Sequence, residues 1–151
     1  MNIKFEPAKQ KDIQQLIEVQ NKAFYPDYIK YGQCPGYAKS EESMLDTITH
    51  TDTFKIMVDD VVVGDIIVRK KVEHDYFLGC LCVIPEYENK GIGEKAMAFI
   101  DAYYTDVTRW SLVTPADKKR NHYFYQKCGF EITESIMDGD VQLVTFVKNV
   151  V

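Results

Sequence analysis

Leu78 to Ala98 reads LGCLCVIPEYENKGIGEKAMA: an apolar strand, a polar loop opened by Pro85, two glycines separated by Ile92, and the first turns of a helix. Such a junction presents backbone N–H groups that no helical carbonyl has taken up, and the helix dipole adds partial positive charge at the same place. Phosphates are favoured there. Gly91 and Gly93 carry no Cβ to hold an anion away from the main chain, so the junction is expected to bind a pyrophosphate.

Working outward, the strand in front of the loop is expected over Asp75–Ile84 and at the centre of a sheet. Tyr76, Leu78, Cys80, Cys82 and Ile84 form one face and Phe77, Gly79, Leu81 and Val83 the other; both are apolar, which predicts burial on both sides. Behind the loop, a helix is predicted over Gly91–Tyr104 with Ala96, Met97, Ile100 and Tyr104 inward. Trp110–Val113 reads as a short strand. Pro115 and Asp117 are taken to begin another helix, closed at Gly129 by the left-handed residue usual at a helix end. Phe130–Met137 and Val141–Val147 form a hairpin through Asp138-Gly139.

Upstream, Ile3–Glu6 is a first strand closed by Pro7, and Ile13, Leu16, Ile17, Ala23 and Phe24 recur at helical spacing over Lys11–Phe24. Residues 25–37 hold four tyrosines broken by Pro26, Gly32, Pro35 and Gly36; they read as an irregular segment that either shapes a substrate pocket or packs on the sheet. Ser40–Ile48 is a second helix. Phe54, Ile56 and Val58 alternate, Asp59-Asp60 turns the chain, and Val61–Val68 returns as the partner strand. The whole, residues 1–151, is read as one α/β domain with a mixed, mainly antiparallel central sheet flanked by helices.

A 151-residue chain with 46% hydrophobic residues can bury a sizeable core, roughly 68 to 70% of its unfolded surface. A net charge of -5 argues against nucleic acid as a partner and is compatible with a cationic one. The polar start MNIKFEPAKQKD lacks the apolar segment of a signal peptide, and no apolar run spans a bilayer, so a cytoplasmic protein without a membrane partner is expected. Cys80 and Cys82 lie two apart on a strand, as core residues do. No Cys-x-x-Cys pair accompanies them, and His50, His74 and His122 show no zinc spacing, so no metal and no structural disulfide are expected.

Two familiar phosphate loops can be weighed against this junction. A P-loop string is absent. Gly91-Ile92-Gly93-Glu94-Lys95-Ala96 satisfies the dinucleotide pattern G-x-G-x-x-A, but Pro85–Lys90 intervene after the strand, and the flanking elements are largely hairpins rather than β-α-β units.

A more specific match joins two strings in order: Val83-Ile-Pro85-Glu-Tyr-Glu88-Asn89-Lys90-Gly91-Ile92-Gly93, then Asn121-His122-Tyr123-Phe124-Tyr125-Gln126-Lys127-Cys128-Gly129-Phe130. Together they resemble the GCN5-related N-acetyltransferase (GNAT) superfamily. Its acetyl-CoA loop is Gln/Arg-x-x-Gly-x-Gly/Ala, and its last helix ends in Tyr-x-Lys-x-Gly-Phe. Two positions depart: Glu88 stands where Gln or Arg is usual, and Lys118 stands where an Asn often lies seven residues before the tyrosine.

The resemblance implies an acetyl-CoA-dependent N-acetyltransferase, with acetyl-CoA as cosubstrate, a primary amine of a small molecule or peptide as acceptor, and possible assembly as a homodimer. It implies a pyrophosphate held by Glu88, Asn89, Lys90, Gly91, Ile92 and Gly93, with Lys90 at the rim. It further implies a pantetheine arm along the edge of Leu81, Cys82 and Val83, with Asn121 as a second partner, and Tyr125 both touching the cosubstrate and protonating the departing thiolate. Phe77 and Gly79 stand where some relatives carry a basic or acidic side chain, so no base is named. Asp27, Glu41, Glu42 and Asp46 mildly favour a cationic acceptor. The other class to weigh is a non-catalytic acyl-CoA-binding or sensing module of the same fold.

Overall fold

The computed structural model describes residues 1–150. In chain order the elements are β1 (Ile3–Pro7), α1 (Ile13–Tyr31), α2 (Glu41–His50), β2 (Asp52–Val58), β3 (Val61–Val72), β4 (Asp75–Val83), α3 (Ile92–Tyr103), β5 (Arg109–Pro115), α4 (Lys119–Lys127), β6 (Glu131–Asp138) and β7 (Val141–Asn149). Seven strands form one sheet in the order β1-β2-β3-β4-β5-β7-β6. Every neighbouring pair is antiparallel except β4 with β5. The expected α/β domain with its mixed, mainly antiparallel sheet is borne out, and β4 is its middle strand.

Local chemistry accounts for most of the boundaries. Asp59 and Asp60 both take positive φ, 48° and 68°, as a tight two-residue hairpin requires. Ser40 caps α2 by accepting from the Ser43 N–H at 3.0 Å. Gly129, at φ 98°, lets the chain leave α4. On one side of the sheet α3 buries Ile92, Ala96, Met97 and Ile100, and its aromatic neighbours Phe99, Tyr103 and Tyr104 continue through Phe54, Tyr76 and Trp110.

Three expectations need correction. Helix α1 does not stop at Phe24 but runs through Pro26 to Tyr31 and ends at Gly32, at φ 72°. An internal proline costs a helix about 3 kcal/mol, and here contacts from distant segments offset it. Tyr28 stacks on Tyr37 at 4.5 Å, Asp27 pairs with Lys118 at 2.7 Å, and the Tyr31 hydroxyl donates to Asp117 at 2.6 Å. Pro115 closes β5 rather than opening α4, which starts at Lys119.

Strand β4 also departs from its expected pattern. Ile67 pairs with Cys80 but Val68 pairs with Leu78, so Gly79 is bulged out of the ladder. The bulge exchanges the faces: Cys80 and Cys82 share a side with Phe77, and Leu81 and Val83 share one with Tyr76 and Leu78. Nor is the strand buried on both faces, since Gly79 is exposed and Phe77, Leu81 and Val83 only half-buried. The cause is a splayed sheet. β4 and β5 pair only over Asp75–Phe77 with Arg109–Ser111, and beyond Phe77 the two strands part.

Candidate active site

The gap between β4 and β5 is the structural centre of the site. The Ile84 N–H bonds Val63 O at 2.8 Å, which sets the alternation: Cys82 turns its backbone groups toward β3, and Leu81 and Val83 turn theirs into the gap. A strand edge with unpaired N–H and C=O groups is able to bond an extended ligand.

At the end of β4 the chain enters α3 through two left-handed residues, Asn89 at φ 59° and Gly91 at φ 78°. The first helical bond there runs from Lys95 N–H to Gly91 O at 3.1 Å, so the N–H groups of Ile92, Gly93 and Glu94 lie ahead of the helical ladder. The two glycines have different reasons. A Cβ on Gly91 would meet nothing within 4 Å, so what this position requires is the left-handed backbone. A Cβ on Gly93 would stand 3.1 Å from the Phe124 ring, so that glycine admits α4 against α3.

Gly91→Val is expected to leave the overall fold intact and weaken acetyl-CoA binding at least tenfold, because a β-branched residue resists positive φ and opens onto the space before the free N–H groups. Circular dichroism with calorimetric titration checks this. Native affinity in a folded variant would remove the loop from the site.

A groove runs from this loop to α4. Leu81, Cys82, Val83, Glu88, Asn89, Gly91, Ile92, Gly93, Asn121 and Tyr125 all line it, whereas Lys90 is exposed and stays outside the lining. Residues that sequence spacing did not single out line it too: Tyr87, Arg120, Phe124 and Lys127. Two ion pairs cross between its walls, Glu88 with Arg120 at 2.8 Å and Glu94 with Lys127 at 2.6 Å. The Lys127 ammonium holds the Glu94 carboxyl below its ordinary range.

The pairing explains how Glu88 is tolerated in this loop, and it gives the basic start of α4 a partner that a bound phosphate would have to displace. Glu88→Gln is therefore expected to tighten acetyl-CoA binding about threefold to fivefold, the scale of one partly exposed ion pair. Unchanged or weaker binding by titration would contradict the competition.

A second, inner cavity lies beyond the groove, bounded by Phe24, Asp27 and Tyr31 of α1, by Cys34 and Lys39 of the following loop, and by Phe77, Gly79 and Cys80 of β4. Groove and inner cavity share Phe24, Leu81, Lys118, Asn121 and Tyr125. Tyr125 thus stands in the wall between them, 8% exposed, its ring against Phe124, Phe130 and Phe146. Burial raises its phenol above the ordinary value and keeps it protonated. The side-chain amide of Asn121 is held by Thr114 Oγ1 at 3.0 Å, which fixes its orientation at the same junction.

The acids noted in the sequence are distributed differently. Asp27 lines the inner cavity but is tied to Lys118. Glu42 and Asp46 line a separate shallow depression on α2, and Glu41 contacts Gln14, so α2 adds no negative charge to the inner cavity. Asp75 pairs with Arg109 at 3.4 Å. No described helix is long and apolar enough to cross a membrane.

Comparison with known proteins bears on this geometry. The structure superposes on the PaiA N-acetyltransferase from Thermoplasma acidophilum in complex with coenzyme A, with a TM-score of 0.83 at 20% identity over 99% of this chain and 100% of that one. It superposes on the ribosomal-protein-S18-alanine N-acetyltransferase from Escherichia coli with a TM-score of 0.79 at 13% identity, over 98% of this chain and 94% of that one. These establish a shared fold. In sequence, the chain is 33% identical over 135 residues to the uncharacterized protein YrkN of Bacillus subtilis (strain 168), covering 85% of this chain and 73% of that protein. The model of the acetyltransferase (GNAT) domain matches residues 50–132, from the end of α2 into β6, and so takes in β4, the glycine loop and α4. With more than half the chain matched, and with the splayed β4, the loop and the last helix all in place, the chain belongs to the GNAT acetyltransferase family.

Proposed function

We propose that the protein transfers the acetyl group of acetyl-CoA to a primary amine by direct attack on the thioester. The observation that carries this reading is the placement of Tyr125, Asn121 and Leu81 in the wall common to the groove and the inner cavity. A cosubstrate laid along the groove brings its thioester to the point where an acceptor in the inner cavity can reach it.

Each residue then has a task. The free N–H groups of the Asn89–Gly93 turn and of the first turn of α3 bind the pyrophosphate, and Arg120 and Lys127 add charge on the opposite wall. Leu81 and Val83 bond the pantetheine arm along the gap, and one of their N–H groups stabilises the thioester oxygen as negative charge develops on it. The Tyr125 hydroxyl protonates the departing thiolate, whose thiol pKa, about 8.5 by analogy with cysteine, makes it a tolerable leaving group. An ordinary aliphatic amine has a pKa near 10.4, so one proton leaves to solvent in the inner cavity before attack; a second leaves the nitrogen as the C–N bond forms and the C–S bond breaks, and through solvent it restores the proton that Tyr125 gave to the thiolate.

A non-catalytic acyl-CoA-binding module would keep the groove and lose the transfer. Following thiol release from acetyl-CoA across a panel of primary amines separates the two. The proposed enzyme releases coenzyme A only when a suitable amine is present and yields the N-acetylated product by mass; binding without amine-dependent release across polyamines, amino acids and peptide N-termini would favour the module.

A further inference from the structure

The sheet face covered by α1 holds a cluster that acetyl transfer leaves unused. Asp65 of β3 is 0% exposed, and its Oδ1 accepts from Cys80 Sγ at 3.3 Å and from Cys82 Sγ at 3.2 Å. Gln20 of α1, also 0% exposed, donates from Nε2 to the other carboxylate oxygen at 2.7 Å. Its own Oε1 is buried and has no hydrogen-bond partner among the described residues. The ligand atoms of Asp65, Cys80 and Cys82 all lie within 4.8 Å of one another. Two thiols and an amide satisfying a buried carboxyl would account for the three hydrogen bonds. They leave the Gln20 oxygen unexplained, a buried acceptor that has given up water without gaining a donor.

We propose that Cys80, Cys82, Asp65 and Gln20 form a binding site for a thiophilic divalent cation of the Zn²⁺ type, with two sulfurs, one carboxylate oxygen and the Gln20 amide oxygen as donors. The donor set selects against calcium and magnesium, which take oxygen ligands. The spacing of the three charged donors suits the geometry, because Zn–S bonds of ~2.3 Å and Zn–O bonds of ~2.0 to 2.2 Å at a tetrahedral centre set sulfur and oxygen roughly 3.5 Å apart, and the separations of Asp65 Oδ1 from the Cys80 and Cys82 sulfurs, 3.3 and 3.2 Å, need to open only slightly. The donors sit on rigid elements: the β3–β4 register pairs Asp65 with Cys82 and Ile67 with Cys80 in an unbroken ladder, which puts both cysteines on the face of Asp65. The Gln20 Nε2–H turns the carboxylate so that Oδ1 faces both sulfurs, the orienting role that outer hydrogen bonds play around bound metals.

Gln20, Ile67 and Cys80 line the inner cavity, which supplies an entry path. Binding exchanges the two thiol protons, released to solvent through that cavity, for one divalent ion; the site then carries a single negative charge, with Lys39 on the same cavity wall. Cysteine spacing alone did not reveal this site, because its donors come from α1, β3 and β4. It does not depend on acetyl transfer.

The test is a titration of the reduced, chelator-stripped full chain with Co²⁺, followed by Zn²⁺. One equivalent is expected to bind with a thiolate-to-cobalt charge-transfer band and tetrahedral visible bands, and Zn²⁺ should displace it with a dissociation constant of about 1 μM or tighter. Cys80→Ser and Cys82→Ser should each weaken binding about 100-fold or more. A Cys34→Ser/Cys128→Ser variant should keep the full spectrum. Should the first two variants fail to fold, that third variant decides alone: retention of the thiolate band supports the site, and its loss overturns it. No stoichiometric binding, binding without a thiolate band, or unchanged affinity in folded Cys80→Ser and Cys82→Ser would also overturn it.

Discussion

Tyr125→Phe is expected to lower the rate of acetyl transfer about 100-fold while leaving acetyl-CoA affinity nearly unchanged. General acids contribute about 10² to 10⁴, and the lower end applies because a thiolate leaves readily without help. The substitution removes only the hydroxyl; the ring keeps its contacts with Phe124, Phe130 and Phe146. A tyrosine serving only the packing would show lost stability and an unchanged rate per folded molecule. The pH profile adds a second check. A phenol whose pKa is raised by burial is fully protonated below its ordinary value of about 10, so the wild-type rate should climb with pH as the acceptor loses its proton, with no falling limb before about pH 10. Wild-type turnover in the variant across that range would eliminate Tyr125 as the acid.

Gly64→Ala should produce the largest loss of stability, about 3 kcal/mol. Gly64 faces Val83 across the β3–β4 ladder, and a Cβ built on it would stand 2.0 Å from the Cys82 carbonyl oxygen. The Cβ is fixed by the β3 backbone and the oxygen belongs to the β4 backbone in a central strand pair, so the overlap is relieved only by moving the strands themselves. The displaced segment is also the one whose edge faces the gap, so acetyl-CoA affinity should fall with stability. Denaturant unfolding measures the first and titration the second. A midpoint within experimental error of wild type would show that β4 yields more easily than its place in the sheet implies.

What the sequence disclosed follows the range of the forces involved. The glycine loop, the closing hairpin at Gly139 and the start of the second helix at Ser40 are local events, written in a few adjacent residues. The continuation of α1 past Pro26 was not legible, because the contacts that offset the proline come from Tyr37, Asp117 and Lys118. The bulge at Gly79 exchanged the faces of β4 for a related reason: alternation read along one strand carries no information about where its partner skips a residue. Within the site, Tyr125 and the loop were legible through motif strings. Arg120 was not, although the run Lys118-Lys119-Arg120 opposite an acidic Glu88 was a usable charge signal. The cluster of Gln20, Asp65, Cys80 and Cys82 spans α1, β3 and β4, and only the fold assembles it.

The proposed activity requires the Asn89–Gly93 turn and the adjoining β4 edge to be an acetyl-CoA site. Thermal unfolding of the full chain with acetyl-CoA, NAD and ATP in parallel tests it most directly. At a hundredfold excess over its dissociation constant, acetyl-CoA should stabilise the fold by about 2.7 kcal/mol, a rise in Tm of roughly 5 to 10 °C for a domain of this size, with little effect from NAD. A shift with NAD and none with acetyl-CoA would contradict it and return the G-x-G-x-x-A string to a dinucleotide.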